Sequence, residues 1–203
     1  KKRTKRLARE HQSMFRTGGA LPLPHPHSSI WLRTLEGRLD CYKVVISGPQ
    51  DTPYENALFL FHVHFPKQYP GSPPLVNLAT TGRGTVRFNP NLYNCGKVCL
   101  SLLGTWDGVK DEKWIDGISS FLQVLLSIQS LILVSQPYYN EPGFSYEYSR
   151  SRSYNLALLP STVQWGMLDM LQSPPSGFED VVKTHFRLRR SAIERQLEAW
   201  STG

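Results

Sequence analysis

The chain has 203 residues, 40% hydrophobic and 19% charged, enough to bury the core of one sizeable domain or two small ones. Its 23 Lys and Arg against 16 Asp and Glu give a formal +7, a balance that first suggests nucleic acid or another anionic surface. Three cysteines, Cys41, Cys95 and Cys99, with no C-x-x-C pair exclude a disulfide scaffold and argue against a structural zinc site. The charge is concentrated at the start. Lys1, Lys2, Arg3, Lys5, Arg6, Arg9 and Arg16 face the single acid Glu10, a local +6 that leaves +1 for the other 187 residues. Dense charge with no apolar run after it gives no secretory signal. A chain opening on Lys reads as a piece of a longer protein, and a reducing setting, cytoplasmic or nuclear, is the expectation.

In chain order, the spacing predicts an amphipathic helix over 4–16, with Leu7, His11, Met14 and Phe15 on one side and Lys2, Lys5, Arg6, Arg9 and Arg16 opposite. A Gly/Pro-rich loop from Gly18 through Pro26 ends it. Extended runs follow at 39–47 and 57–65. In the second, Phe59, Phe61, Val63 and Phe65 alternate with Leu58, Leu60, His62 and His64. Turn chemistry in Gly48-Pro-Gln-Asp-Thr-Pro predicts an antiparallel hairpin. The Pro-rich 69–74 segment introduces another strand at 75–79. Residues 80–117 read as a long irregular loop of the kind that carries function. The apolar stretch 118–134, interrupted by Gln123, Ser127, Gln129 and Ser130, reads as a central helix rather than a membrane span. A polar connection is expected at 144–155, then helices near 161–171 and 178–199. The order describes an α+β layer architecture.

Cys99 is the most reactive candidate. A thiol on a loop, with Asn side chains nearby, could carry an acyl group as a thioester. Most free cysteines are instead small buried hydrophobes. No His stands nearby as a base, which speaks against a cysteine protease. His62 and His64 have metal-compatible spacing but no obvious third ligand, so they read as solvent-face residues of a strand; His25 and His27 are weaker still. The sequence shows no cofactor signature. The basic helix face reads either as solvated or as a docking surface.

Four separated motifs then assemble: Ile46-Ser-Gly-Pro-Gln-Asp-Thr-Pro-Tyr-Glu, Phe65-Pro-Lys-Gln-Tyr-Pro-Gly-Ser-Pro-Pro, Asn89-Pro-Asn-Leu and Gly96-Lys-Val-Cys-Leu. In order and spacing they resemble the ubiquitin-conjugating enzymes. With Leu103-Gly-Thr-Trp and Pro137-Tyr-Tyr-Asn-Glu-Pro-Gly they are most similar to large-class members with C-terminal extensions, hybrid conjugating/ligating enzymes among them.

The resemblance implies an N-terminal helix, a four-stranded antiparallel meander whose first strand falls at 31–35, an active-site loop, a central helix and C-terminal helices. It places a core domain at 1–145 and a C-terminal helical extension, packed on it, at 146–203. It implies that Cys99 accepts ubiquitin from the activating enzyme and passes it to a substrate lysine. Asn91 would stabilise the oxyanion or brace the loop, and Glu141 would position or deprotonate the lysine. Lys2, Lys5, Arg6 and Arg9 would dock the activating enzyme, and flanking domains of the same protein would serve as ligase. Neither nucleic acid nor membrane is an expected partner. A non-catalytic ubiquitin-binding adaptor is the alternative, which the retained Cys99 disfavours.

Asn89 stands where the family usually has His, and Ser101 where many members have Asp. Gly71 and Trp114-Ile-Asp-Gly replace the usual ligase-contacting residues, which turns the expectation away from ordinary RING or HECT partners. Residues 104–117 carry an insertion relative to the small members. Cys95 reads as an exposed bystander.

Overall fold

A computed structural model of the chain describes residues 2–15, 21, 25, 28–107 and 112–202. The expected 18–26 loop, apart from Leu21 and His25, lies outside them. So do His27, Lys1, Arg16 and residues 108–111 of the insertion. Helix α1 spans Lys2–Phe15 and buries Leu7, Glu10 and Met14, one stripe at helical spacing. The expected apolar side is only partly buried: His11 is half-buried against Tyr42, and Phe15 stays 42% exposed, stacked on the His11 ring. The buried member that apolar spacing alone did not select is the acid Glu10.

Strands β1 (Ile30–Leu35), β2 (Arg38–Ser47), β3 (Leu58–His64) and β4 (Leu75–Leu78) form one antiparallel sheet in the order β1-β2-β3-β4. The hairpin expected between the second and third strands is present, Val44 opposite Phe61 and Ile46 opposite Phe59. Its connection is a broad loop rather than a tight turn. That loop buries Tyr54 completely and sends the Tyr54 hydroxyl to Phe88 O at 2.6 Å. Phe59, Phe61, Val63 and Phe65 are buried as the alternation predicts, each contributing about 2 kcal/mol.

Helix α2 (Phe121–Ser127) begins in a capping box, Ser120 accepting from Gln123 N and the Gln123 side chain accepting from Ser120 N. Phe121 meets Phe65 and Tyr42 with ring centroids 5.1 and 5.6 Å apart. The helix widens into a π-helical turn over Ile128–Ile132. The 118–134 stretch is not buried all round: Ile118 is 72% and Leu131 58% exposed.

The C-terminal part departs most from the sequence reading. Helix α3 (Tyr148–Ser161) occupies what reads as a polar connection, continues as a π-helical segment over Thr162–Leu168, and ends in the short α4 (Asp169–Gln172). The inward face of α3 is Ser151, Tyr154, Asn155 and Leu158, helically spaced but mostly polar, so no apolar stripe announces it. Pro160 sits inside the helix just before the π-helical segment. Helix α5 (Glu179–Thr202) runs past the far side of β1, where Trp31 meets His185 and Arg33 donates to Gly177 O at 3.0 Å.

The C-terminal helices explain why Leu58 is fully buried on a face that alternation would leave wet. At Gly166 an added Cβ would lie 2.6 Å from the Ala57 Cβ, so only glycine lets this segment close on the sheet. Leu158, Met167, Met170, Phe178, Val182 and Phe186 join the same buried cluster as the strands and α2. No helix among the described residues is long and apolar enough to cross a membrane.

Candidate active site

The stretch from Asn89 to Cys99 folds back on itself. Cys99 N donates to Asn91 O at 2.9 Å, and the Asn91 side-chain Nδ2 donates to Cys99 O at 2.9 Å, a reciprocal clasp across eight residues. Leu92 bridges Val98, and Tyr93 N donates to Lys97 O at 3.0 Å. Gly96 turns the tip with φ +88; a Cβ there would meet the Asn77 amide at 2.3 Å. Of the two roles open to Asn91, its amide N–H is engaged in bracing. Its Oδ1 is buried without a partner.

Asn89, in place of the family's usual His, is fully buried and heavily bonded. Its Oδ1 accepts from Asn91 N at 2.8 Å and from Asn140 Nδ2 at 3.3 Å, while its Nδ2 donates to Ile132 O at 2.8 Å and to the Tyr54 hydroxyl at 3.3 Å. One amide thus joins the active-site loop, the end of the central helix, the 48–57 loop and the turn before Glu141.

Cys99 itself is 1% exposed. Burial pushes its thiol up from the ordinary value; the Lys97 and Arg87 charges and the Tyr93 hydroxyl oppose that rise, and Cys95 adds to it. Cys95 is exposed near the tip of the turn and Cys41 is half-buried; all three thiols are free. Glu141 follows a 3-10 turn over Pro137–Asn140. Its Oε2 accepts from Arg87 Nη2 at 3.1 Å, and the same nitrogen donates to Pro90 O at 2.6 Å. The Arg87 guanidinium lies 4.3 Å from the Tyr93 ring centroid, with the Lys97 ammonium 5.5 Å from it. Tyr154 from α3 stands near this pair. Burial pushes its phenol to about 12, the Arg87 charge opposing and Glu141 adding to the rise. Neither Arg87 nor Tyr154 carries a sequence signal, because each meets Glu141 only through the fold.

The basic face of α1 divides. Lys5 and Arg9 are exposed, and Lys2 is exposed in an ion pair with Asp116 at 2.6 Å. Arg6 turns inward, bonding Glu10 Oε1 at 2.7 Å and Ser119 O at 2.5 Å, apart from the three exposed bases. On the sheet, Asp40, Cys41 and His64 bring possible ligand atoms within 4.8 Å of one another, a group that the sequence does not show and that does not include His62. Arg3 and Arg38 already hold Asp40, each at 2.8 Å, and Arg38 reaches Cys41 Sγ at 3.2 Å, so a cation there would compete with two arginines.

A braced, buried cysteine, with an acid tied to its loop through Arg87, in a chain that runs from antiparallel meander to central helix, defines the class. The sequence model of the family described as ubiquitin-conjugating enzyme matches residues 22–153, and the chain belongs to that family. It is 52% identical over 98% of its length to the human "Dual E2 ubiquitin-conjugating enzyme/E3 ubiquitin-protein ligase BIRC6". It is 49% identical over 98% to "Probable ubiquitin-conjugating enzyme protein 17" of Caenorhabditis elegans, and 45% identical over 85% to "Probable ubiquitin-conjugating enzyme E2 R521" of Acanthamoeba polyphaga mimivirus. The chain spans only 4%, 27% and 12% of these relatives.

Proposed function

We propose that this domain accepts ubiquitin from an activating enzyme as a thioester on Cys99 and transfers it to a lysine amine, within a larger hybrid conjugating/ligating protein. The Cys99 thiolate takes the C-terminal acyl group of ubiquitin from the activating enzyme's thioester, whose thiolate leaves. A lysine amine then attacks the new thioester, loses its proton, and releases Cys99 as an isopeptide bond forms. The observation that carries this reading is the Asn91–Cys99 clasp, which fixes the backbone of the family's cysteine motif, with Glu141 tied through Arg87 to Pro90 of the same loop. Asn91 acts as the brace and Glu141 receives the ammonium. Lys2, Lys5 and Arg9 dock the activating enzyme. The similarity to a named conjugating/ligating protein supports flanking domains that act as ligase. Three free thiols suit a reducing cytoplasmic or nuclear compartment.

Incubation with activating enzyme, ubiquitin and ATP is read on a non-reducing gel. A thiol-sensitive adduct is expected, absent in Cys99→Ala. No adduct, or one that persists in that variant, would falsify the assignment.

A further inference from the structure

Arg87 ties the acid itself to the cysteine loop. It lies directly before the Phe88-Asn-Pro-Asn motif, while Glu141 arrives from 54 residues further on. One guanidinium nitrogen bonds Pro90 O in the cysteine loop and Glu141 Oε2 in the facing loop, and the guanidinium plane covers the Tyr93 ring at 4.3 Å. We propose that Arg87 is a positioning residue for transfer, fixing the Glu141 carboxylate and the Tyr93 ring against the Cys99 loop so that the incoming amine meets the acid in one orientation. The inference rests on the thioester-transfer reading above.

Three observations favour positioning over a merely structural role. The side chains are 42% and 32% exposed, and a pair that wet adds little to stability. Glu141 lies between the 3-10 turn and Pro142-Gly143, and Arg87 supplies the ion pair that holds its carboxylate. With Oε2 held, Oε1 remains to meet an ammonium. The contacts also favour a planar group: one ammonium could reach both acceptors, but it has no flat face to lay on the Tyr93 ring while doing so. Arg87 adds, with Lys97, to the positive charge around the buried thiol.

The test preloads Cys99 with ubiquitin, stops the activating enzyme, and follows discharge to free lysine and to hydroxylamine. Hydroxylamine is already neutral at neutral pH and needs no acid to orient an ammonium. Arg87→Ala should slow lysine discharge about tenfold or more, the scale of a misplaced catalytic group, with hydroxylamine discharge changed less than about twofold. Arg87→Lys should restore only part of the lysine rate. Arg87→Ala combined with Glu141→Ala should be no slower than Glu141→Ala alone, because both remove one function.

An unchanged lysine rate in Arg87→Ala overturns the proposal. So does equal slowing toward both nucleophiles, full rescue by lysine, or multiplicative losses in the double variant. Wild-type protein that never loads refutes the thioester reading itself. Loading with any of those four outcomes refutes only the role of Arg87.

Discussion

The carboxylate of Glu10 accepts from the backbone N–H of Phe121 at 2.8 Å, so a side chain on the first helix satisfies the first amide of the central helix. Its other oxygen takes Arg6 at 2.7 Å and the Tyr69 hydroxyl. The lone acid in the basic segment thus joins Leu7 and Met14 in anchoring that segment to the core. Glu10→Ala should lower the unfolding free energy by about 3 kcal/mol, the scale for breaking a buried ion pair, read from urea melts. A loss under about 1 kcal/mol would place the residue with ordinary surface pairs.

The divided basic face changes what a charge-reversal experiment should use. Lys5→Glu with Arg9→Glu should slow charging by the activating enzyme and leave discharge from preloaded Cys99 unchanged. Arg6→Glu should instead lower the melting temperature, because it sets a second carboxylate against Glu10. Equal slowing of charging and discharge by the Lys5 and Arg9 changes would remove α1 as the docking surface.

Because burial raises the Cys99 thiol, less thiolate is present at neutral pH than for a free cysteine. Iodoacetamide should therefore modify the exposed Cys95 first. The Cys99 rate should still be climbing above pH 9, as read by peptide mass spectrometry. Lys97→Ala, which removes a charge that lowers the thiol, should slow Cys99 further at every pH below that. Modification of Cys99 ahead of Cys95 at neutral pH contradicts this.

Much of the sheet and the core of the site could be read in advance. Phe59, Phe61, Val63 and Phe65 announce a strand because period-two burial is a local property. Asn91 and Cys99 sit in two neighbouring motifs only eight residues apart. What escaped reading was built from distant or polar parts. Arg87 and Tyr154 acquire meaning only when the fold brings Glu141 to them. Helix α3 turns Ser151 and Asn155 inward, so its face carries no hydrophobic period. Glu10 carries no local mark of burial, because burial of a charge is decided by partners 59 and 111 residues away.

His185 is buried beside Trp31, its Nε2 2.9 Å from Asn56 O. Burial holds its pKa below 6.5 against an upward pull from the Asn56 carbonyl, the Arg189 charge adding a smaller lowering. The unfolded chain takes up this proton first, so the stability the neutral ring contributes is present above pH 6.5 and is lost as pH falls through the lower folded value. Thermal melts from pH 7 to 5 should show a fall that His185→Gln reduces, leaving the part due to groups such as His62, whose pKa burial also lowers. An identical fall in the variant would assign the dependence elsewhere.

The Asn91–Cys99 clasp also sets where the chain can tolerate a change of length. The paired residues Leu92 with Val98 and Tyr93 with Lys97 make a short ladder in which side chains alternate sides. An insertion at the tip, between Asn94 and Cys95, lengthens the turn and leaves the rungs in step. An insertion between Lys97 and Cys99 slips the ladder by one and swings the thiol to the wrong side. Thr105, whose hydroxyl donates to Val98 O at 2.7 Å, sets the far limit of that count. Length added after Thr105 therefore leaves the register of the nucleophile untouched.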